Sequence, residues 1–146
     1  AVPQLIPATE QSLLHFSELT AAVTKAEKAG GGIVYVKGSS ISCTAQLALK
    51  ASNANVSIIG VKNSDGTYPV LDFSAFRSAY IGKATTDSEV GIRISGSKYT
   101  IKNLIIQKAP DNGIQIKGSS AGNNTIENCI VRYNNDAGGA DYRWCI

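Results

Sequence analysis

The sequence has no methionine, one tryptophan, one histidine and few charged residues. Charged side chains make up 17% of the 146 residues and hydrophobic ones 43%, a balance that excludes a highly charged disordered chain. The net charge of +3 comes from scattered Lys and Arg without a basic cluster, so no nucleic-acid partner is indicated. No apolar run approaches the ~18 residues of a membrane span, so no membrane partner is expected.

Cysteines are scarce as well, and they give neither a disulfide framework nor a zinc motif. They are Cys43, Cys129 and Cys145. No two of them have C-x-x-C spacing, and an odd number permits one disulfide and one free thiol, with three pairings open.

The beginning of the chain favours secretion. A start at Ala1 in a sequence without Met predicts that an initiator, together with a signal or pro-segment, has been removed. Sequons of the type Asn-x-Ser/Thr begin at Asn55 and Asn123, which predicts a glycoprotein. We therefore expect a secreted, extracellular protein.

The first regular element is a helix predicted over residues 17–29. Ser17 is the expected N-cap, and Gly30, Gly31 and Gly32 end the helix. One apolar stripe follows the helical period through Phe16, Leu19, Val23 and Ala26. Beyond residue 32 the pattern predicts buried strands at 33–37, 56–60 and 69–73.

An internal repeat follows these strands. Residues 91–97 match 113–119 at an offset of 22, and residues 100–106 match 125–131 at an offset of 25. Each unit contains two short strands and no helix, and a period of about 20–25 residues of this kind fits one coil of a β-solenoid. Equivalent residues should stack in the interior: Ile92 on Ile114, Ile94 on Ile116, Ile101 on Ile126, Leu104 on Cys129, and Asn103 on Asn128 at a bend.

Three acids occupy one position of the repeat. Glu89, Asp111 and Asp136 each lie two residues before a glycine, so stacked coils would form them into a column. Like charges about 5 Å apart repel, and a cation between them would remove the repulsion. Carboxylate and amide oxygens suit Ca²⁺. Aspartate is also a common turn residue before glycine, and this alternative remains open. Nearby side-chain amides that offer oxygen ligands are those of Asn112, Asn134 and Asn135.

Four segments of the chain resemble the opening coils of family 9 polysaccharide lyases. They are residues 31–36, 69–74, 109–114 and 134–138. The resemblance covers roughly residues 15–140 and implies a secreted right-handed β-helix that cleaves pectate by Ca²⁺-assisted β-elimination. The predicted fold is all-β: a right-handed parallel β-helix (solenoid) in a single domain, residues 1–146. Residues 13–30 form a short N-terminal capping helix segment and residues 31–146 the coils.

The resemblance also implies site residues. Asp111 and Asp136 match calcium-ligand positions, and Asn135 stands where the family has a further acid. The next acidic ligand of the family falls near Gly139, and its catalytic Lys falls on a later coil, so no catalytic residue is assigned here. Glu89 joins the metal candidates from the column alone.

Substrate contacts are expected from basic and aromatic residues near these coils. Lys117 and Arg132 are the basic residues on the nearby coils. The segment 74–88, with Arg77 and Tyr80, is long for a solenoid turn, and it either overhangs a sugar groove or forms a packed insertion.

Two functions remain open at this point. The first is a pectate-lyase-like enzyme acting on acidic plant polysaccharide, and the second is a non-catalytic carbohydrate-binding or assembly module. A third coil begins near Gly138 with no visible cap. This predicts a homodimer through the uncapped end, a longer natural chain, or coverage by Tyr142, Trp144 and Ile146.

Overall fold

The computed structural model describes residues 15–83 and 88–135. The helices are α1 (Phe16–Lys28) and α2 (Ser74–Arg77), and a 3-10 helix follows at Ser78–Tyr80. Eleven strands run through the described residues: β1 (Gly32–Val36), β2 (Ser40–Ser42), β3 (Leu47–Leu49), β4 (Val56–Gly60), β5 (Val70–Asp72), β6 (Ile92–Ile94), β7 (Tyr99–Lys102), β8 (Ile105–Gln107), β9 (Ile114–Ile116), β10 (Thr125–Glu127) and β11 (Ile130–Arg132).

The strands stack into three parallel sheets, which confirms the predicted β-helix. Sheet A has the order β1-β4-β7-β10, sheet B β2-β5-β8-β11, and sheet C β3-β6-β9. Every strand pair is parallel. The first coil is β1–β3, the second β4–β6, the third β7–β9, and the fourth contains β10 and β11. Each coil therefore closes the chain around one shared interior.

The register is the one that the repeat predicts. Ile92 pairs with Ile114 and Ile94 with Ile116 in sheet C, and Ile101 pairs with Ile126 in sheet A. Alternate residues of each strand point inward, and these columns of aliphatic side chains form the core. Fully buried members are Val34, Ile58, Leu71, Ile92, Ile94, Ile101 and Ile106.

The prediction of two strands in each unit was wrong, because residues 100–106 belong to two strands of different sheets. Asn103 has a φ of 58° and Asn128 a φ of 48°, and this left-handed conformation turns the chain from sheet A to sheet B. Asn tolerates that conformation better than most residues. The predicted stacking at the bend is confirmed, since Asn128 Nδ2 donates to Asn103 Oδ1 at 2.7 Å.

Helix α1 covers the N-terminal end of the solenoid, as the apolar stripe predicted. Leu19, Val23 and Ala26 are buried in the common core, and Phe16 packs against it. The expected N-cap was wrong by two residues, because His15 occupies that position without a side-chain capping bond and Ser17 lies inside the helix. His15 is held instead by a parallel bridge to Ser42.

A buried tyrosine connects this helix to the coils. Tyr99 is fully buried, and its hydroxyl donates to Glu27 Oε1 at 2.8 Å. The Tyr99 hydroxyl oxygen in turn accepts a hydrogen bond from the backbone N–H of Ala51 at 2.9 Å. Burial, followed by the bond to Glu27, raises the pKa of Tyr99 above its ordinary value. One side chain thus joins the cap, the turn after β3 and the first strand of the third coil.

The fourth coil is more exposed than the repeat predicted. Ile126 stacks on Ile101 as expected but is 37% exposed, and Cys129 is only partly buried, whereas Leu104 is 1% exposed. Cys43 and Cys129 are free thiols. The predictions on Asp136, Gly138, Gly139, Tyr142, Trp144, Cys145 and Ile146 lie outside the described residues, and the homodimer stays a prediction. In the described part of the chain, no helix is long and apolar enough to cross a membrane.

Candidate functional site

Two members of the predicted acid column lie in register. Asp111 N donates to Glu89 O at 3.2 Å, so the two residues occupy the same position on the second and third coils. Both are partly buried, and both lie just before strands of sheet C. Asp136, the third member, lies outside the described residues. The column therefore exists across at least two coils, at the edge where the chain enters sheet C.

The nearby amides have structural roles in the described coils. Asn134 Oδ1 accepts the N–H of Ala109 at 2.8 Å, and Asn135 N donates to Ala109 O at 3.1 Å. Asn135, a predicted metal ligand, is only 8% exposed and has a φ of 64°. Asn112 aligns with Val90 of the previous coil, one residue after the aligned acids. Val90 is fully buried. The Asn134 side chain thus holds this turn to the previous coil, and Asn135 does so through its backbone.

The described donor set suits a hard cation in its chemistry. Glu89 and Asp111 offer carboxylate oxygens from adjacent coils, which is the type of ligand that Ca²⁺ prefers. Within residues 15–83 and 88–135 no group of three or more His, Cys, Asp or Glu gathers at one point. The described residues therefore include two of the predicted carboxylate ligands, Glu89 and Asp111, in register on adjacent coils.

The outer face of sheet C carries basic side chains beside this column. Arg93 lies between Ala48 and Gln115 in register, and Ile92 and Ile94 on either side of it are buried, so Arg93 points outward. A cleft of about 290 Å³ on this face is lined by Gln46, Lys50, Ser88, Arg93 and Ser95. Two cations among neutral polar groups form a surface that favours an anionic, hydroxyl-rich ligand.

Lys50 and Arg93 were missed by the sequence reasoning. Strands β3 and β6 are only three residues long, and the first coil shows no recognisable repeat. The usable signal was the alternation Ile92-Arg93-Ile94, which places a basic residue on the outside of a coil. Lys117 was predicted, and it follows β9 on this same sheet with its backbone N–H donated to Ile94 O at 3.0 Å. Its side chain is exposed.

Arg132, also predicted as a substrate contact, lies on a different face. It ends β11 of sheet B, and its Nε donates to Gln107 Oε1 at 2.9 Å. Its guanidinium carbon is 5.4 Å from the centroid of the Tyr133 ring. The structure therefore does not bring Arg132 together with Lys117.

The long segment after β5 begins as a compact insertion. Tyr80 packs edge-on against Phe76 with ring centroids 5.5 Å apart, and Phe76 packs against the core. Arg77 is partly buried, and its N–H bonds to Phe73 O at 2.8 Å. This packing favours the packed insertion for Tyr80. The segment connects sheet B to sheet C in the second coil, so it leaves the solenoid at the corner where Glu89 lies.

Comparisons with known proteins agree with this geometry. Residues 8–141 match the family described as the Pel9A-like, right handed beta helix region. The chain is 33% identical over 122 residues to "Pectate lyase L" of Paenibacillus polymyxa (strain SC2), which covers 82% of this chain and 24% of that relative. No solved structure matches the chain significantly. With its three parallel sheets and a family match over nearly its whole length, the chain belongs to the Pel9A-like right-handed β-helix family.

Proposed function

We propose that this chain is part of a secreted, pectate-lyase-like protein that binds an acidic plant polysaccharide on the outer face of sheet C. The proposed ligands of Ca²⁺ are Glu89, Asp111, Asn135 and Asp136, and the proposed reaction is β-elimination of pectate. The chain spans 24% of the length of the pectate lyase that it matches.

The observation that carries this proposal is the cleft on sheet C with Lys50 and Arg93 at its surface. Pectate has one carboxylate on each sugar, so its recognition requires cations spaced along a groove. Arg binds a carboxylate through a planar pair of N–H donors, and Lys acts as a point charge. Gln46 helps to hold the edge of the cleft, because its Nε2 donates to Ser88 O at 2.8 Å and to Val90 O at 3.3 Å.

The acid column and the basic cleft have separate tasks in this proposal. When bound, Ca²⁺ supplies positive charge that neutralises a uronate carboxylate and acidifies the proton at C5. Glu89 and Asp111 hold that charge at the entry edge of sheet C. Arg93 and Lys50 bind carboxylates of neighbouring sugars and fix the polymer across the coils. None of the described residues is assigned as the base.

An activity assay with polygalacturonate distinguishes an enzyme from a binding module. The expected result is absorbance of an unsaturated product in Ca²⁺ and none in chelator. Binding of trigalacturonate without any product would instead establish the non-catalytic carbohydrate-binding alternative.

A pair of charge-matched variants tests the cleft itself. Arg93→Gln should weaken binding of trigalacturonate about tenfold, a typical loss for one charged contact. Lys25→Gln removes one exposed charge from helix α1 and should leave binding unchanged. Equal affinities of the two variants would refute the proposed location of the polysaccharide.

A further inference from the structure

Residues with the left-handed backbone conformation (positive φ) occur at three corners of the solenoid. Asn occupies aligned positions of this kind at two of the corners but not at the third. Asn103 and Asn128 occupy the first corner, and Asn55, Lys98 and Asn123 the second. Asn is the residue other than Gly that enters this conformation most cheaply.

The third corner, after the strands of sheet B, contains Lys108 and Tyr133, with φ values of 62° and 55°. Neither side chain favours this backbone, and a bulky residue pays a free-energy cost there that Asn largely avoids. Lys98 at the second corner shows that a Lys is tolerated there, so Tyr133 is the residue that is out of place in this set.

Tyr133 and its neighbours form an exposed aromatic and basic surface. Tyr133 is 67% exposed, and the Arg132 guanidinium lies 5.4 Å from its ring centroid. Lys108 occupies the same corner one coil before Tyr133, and its Nζ lies 3.9 Å from Asp72 Oδ2. One aromatic ring with two cations offers both an apolar face and charge to a ligand.

A row of side chains along sheet B holds Arg132 in place. Asp72, Gln107 and Arg132 are in register on successive coils. Gln107 Nε2 donates to Asp72 Oδ2 at 2.7 Å, and Gln107 Oε1 accepts from Arg132 Nε at 2.9 Å. This bond uses only one of the five guanidinium donors. The row therefore fixes the orientation of the guanidinium, whose planar set of N–H donors matches a carboxylate.

We propose that Lys108, Arg132 and Tyr133 form a second binding surface for an acidic saccharide, on the corner of sheet B and separate from the cleft on sheet C. A uronate residue stacks its C–H face on the Tyr133 ring, and its carboxylate is bound by Arg132 and Lys108. The inference rests on the proposed function for the class of ligand, and it adds a contact for the polymer on the turn that also carries Asp111 and Asn135.

The test is an NMR titration of the ¹⁵N-labelled chain with trigalacturonate. Reduced maltotriose (maltotriitol), which carries no charge, is the comparison sugar. The Arg132 side-chain Nε–H reports the corner, and the backbone amides of Arg93 and Ser95 report sheet C. We expect a saturable shift at Arg132 that is absent with the neutral sugar and is retained in Arg93→Gln.

The informative variant is Tyr133→Asn. Asn suits the left-handed backbone, so this variant should melt at the same temperature as the parent or higher, while the affinity at Arg132 falls about tenfold. Tyr133→Phe keeps the ring and should keep the affinity. A purely structural Tyr133 would give the reverse, with lower stability and unchanged affinity.

The outcomes separate the two proposals. Shifts on sheet C without any at Arg132 overturn the second surface and leave the proposed function standing. Shifts at Arg132 alone support the second surface and overturn the location proposed for the polysaccharide. An absence of shifts at both places overturns both.

Discussion

Ile101 in the third coil and Ile126 in the fourth occupy the same position of the repeat, yet the first is 0% exposed and the second 37%. The two are paired in register, so their sequence context and their direction are the same. What differs is the number of stacked neighbours, because β7 lies between β4 and β10, whereas β10 ends the order of its sheet in the described residues. In a solenoid, burial depends on having a coil on both sides.

Truncation at these two positions should give the largest effect. Ile101→Ala is expected to lower the free energy of unfolding by ~2–5 kcal/mol, the usual cost of a cavity in a core. Ile126→Ala should cost less, because about a third of its surface is already in water. Urea denaturation of both variants measures the difference. Equal losses would show that the fourth coil is covered in solution and would remove the contrast between the coils.

The acid column tests whether a cation connects adjacent coils. If Ca²⁺ binds there, the chain should gain ~2.7 kcal/mol of stability at a free concentration 100 times the dissociation constant. Asp111→Asn and Asp136→Asn should abolish most of this gain. Asp65→Asn, which removes an exposed acid held by Thr67, should leave it intact. Thermal melts in Ca²⁺ and in chelator measure the response, and an identical melting temperature of the parent in both would leave the column with a turn role only.

Two asparagines of the fourth coil, Asn134 and Asn128, differ in burial, and the difference predicts unequal losses of stability on mutation. Asn134 is 6% exposed, and its side chain satisfies the N–H of Ala109, which is fully buried. Asn134→Ala should therefore cost ~1–3 kcal/mol, since it leaves a buried donor unpaired. Asn128→Gly keeps a residue that suits the left-handed backbone, removes only the exposed bond to Asn103 and should cost ~0.5–1.5 kcal/mol. The reverse order in urea melts would contradict the assignment of burial in this coil.

The smallest effect concerns pH and the polar row on sheet B. Burial acts to raise the pKa of Asp72, but hydrogen bonds from Ser74 and Gln107 outweigh it, and the charge of Lys108 adds to them. The pKa therefore lies below its ordinary value. Because the folded-state pKa is the lower one, the ionised carboxylate stabilises the fold above the unfolded pKa of ~3.9. That contribution is lost as the pH falls through the folded-state pKa.

Asp72→Asn removes the titrating group and keeps its size. The stability of the parent should decline more steeply than that of the variant as the pH is lowered from 7 to ~3. Chemical denaturation at several pH values gives both profiles. Parallel profiles would mean that Asp72 makes no net contribution through its charge.

The repeating part of the fold could be predicted from the sequence. The match between residues 91–97 and 113–119 predicted the register of β6 with β9, because identical spacing places identical side chains on one column. It did not reveal β2 and β3, which are three residues long and have no obvious copy in the sequence. It predicted the bend at Asn103, but not that this bend divides the run 100–106 between strands of two different sheets.

The site was predictable to a similar degree. The column of Glu89 and Asp111 followed from their shared distance to a glycine, and the backbone bond between them supports that alignment. Lys50 escaped notice because it belongs to the first coil, where no repeat aligns it with Ser95. Arg132 and Lys117 appeared equivalent as basic residues of neighbouring coils, but Arg132 ends a strand of sheet B and Lys117 follows a strand of sheet C. Assigning residues to a face requires knowing where each coil turns.

The Tyr99 hydroxyl has a consequence for the order of folding. Its bond to Glu27 joins residues 72 positions apart, and its bond from Ala51 spans 48. Neither can form until the third coil has closed on the second, because Tyr99 is the first residue of β7. Closing so long a loop carries an entropic cost that nearby contacts must first offset. The Tyr99 bonds are thus a late addition to the attachment of the N-terminal helix, which already packs on the first coil through its buried apolar residues.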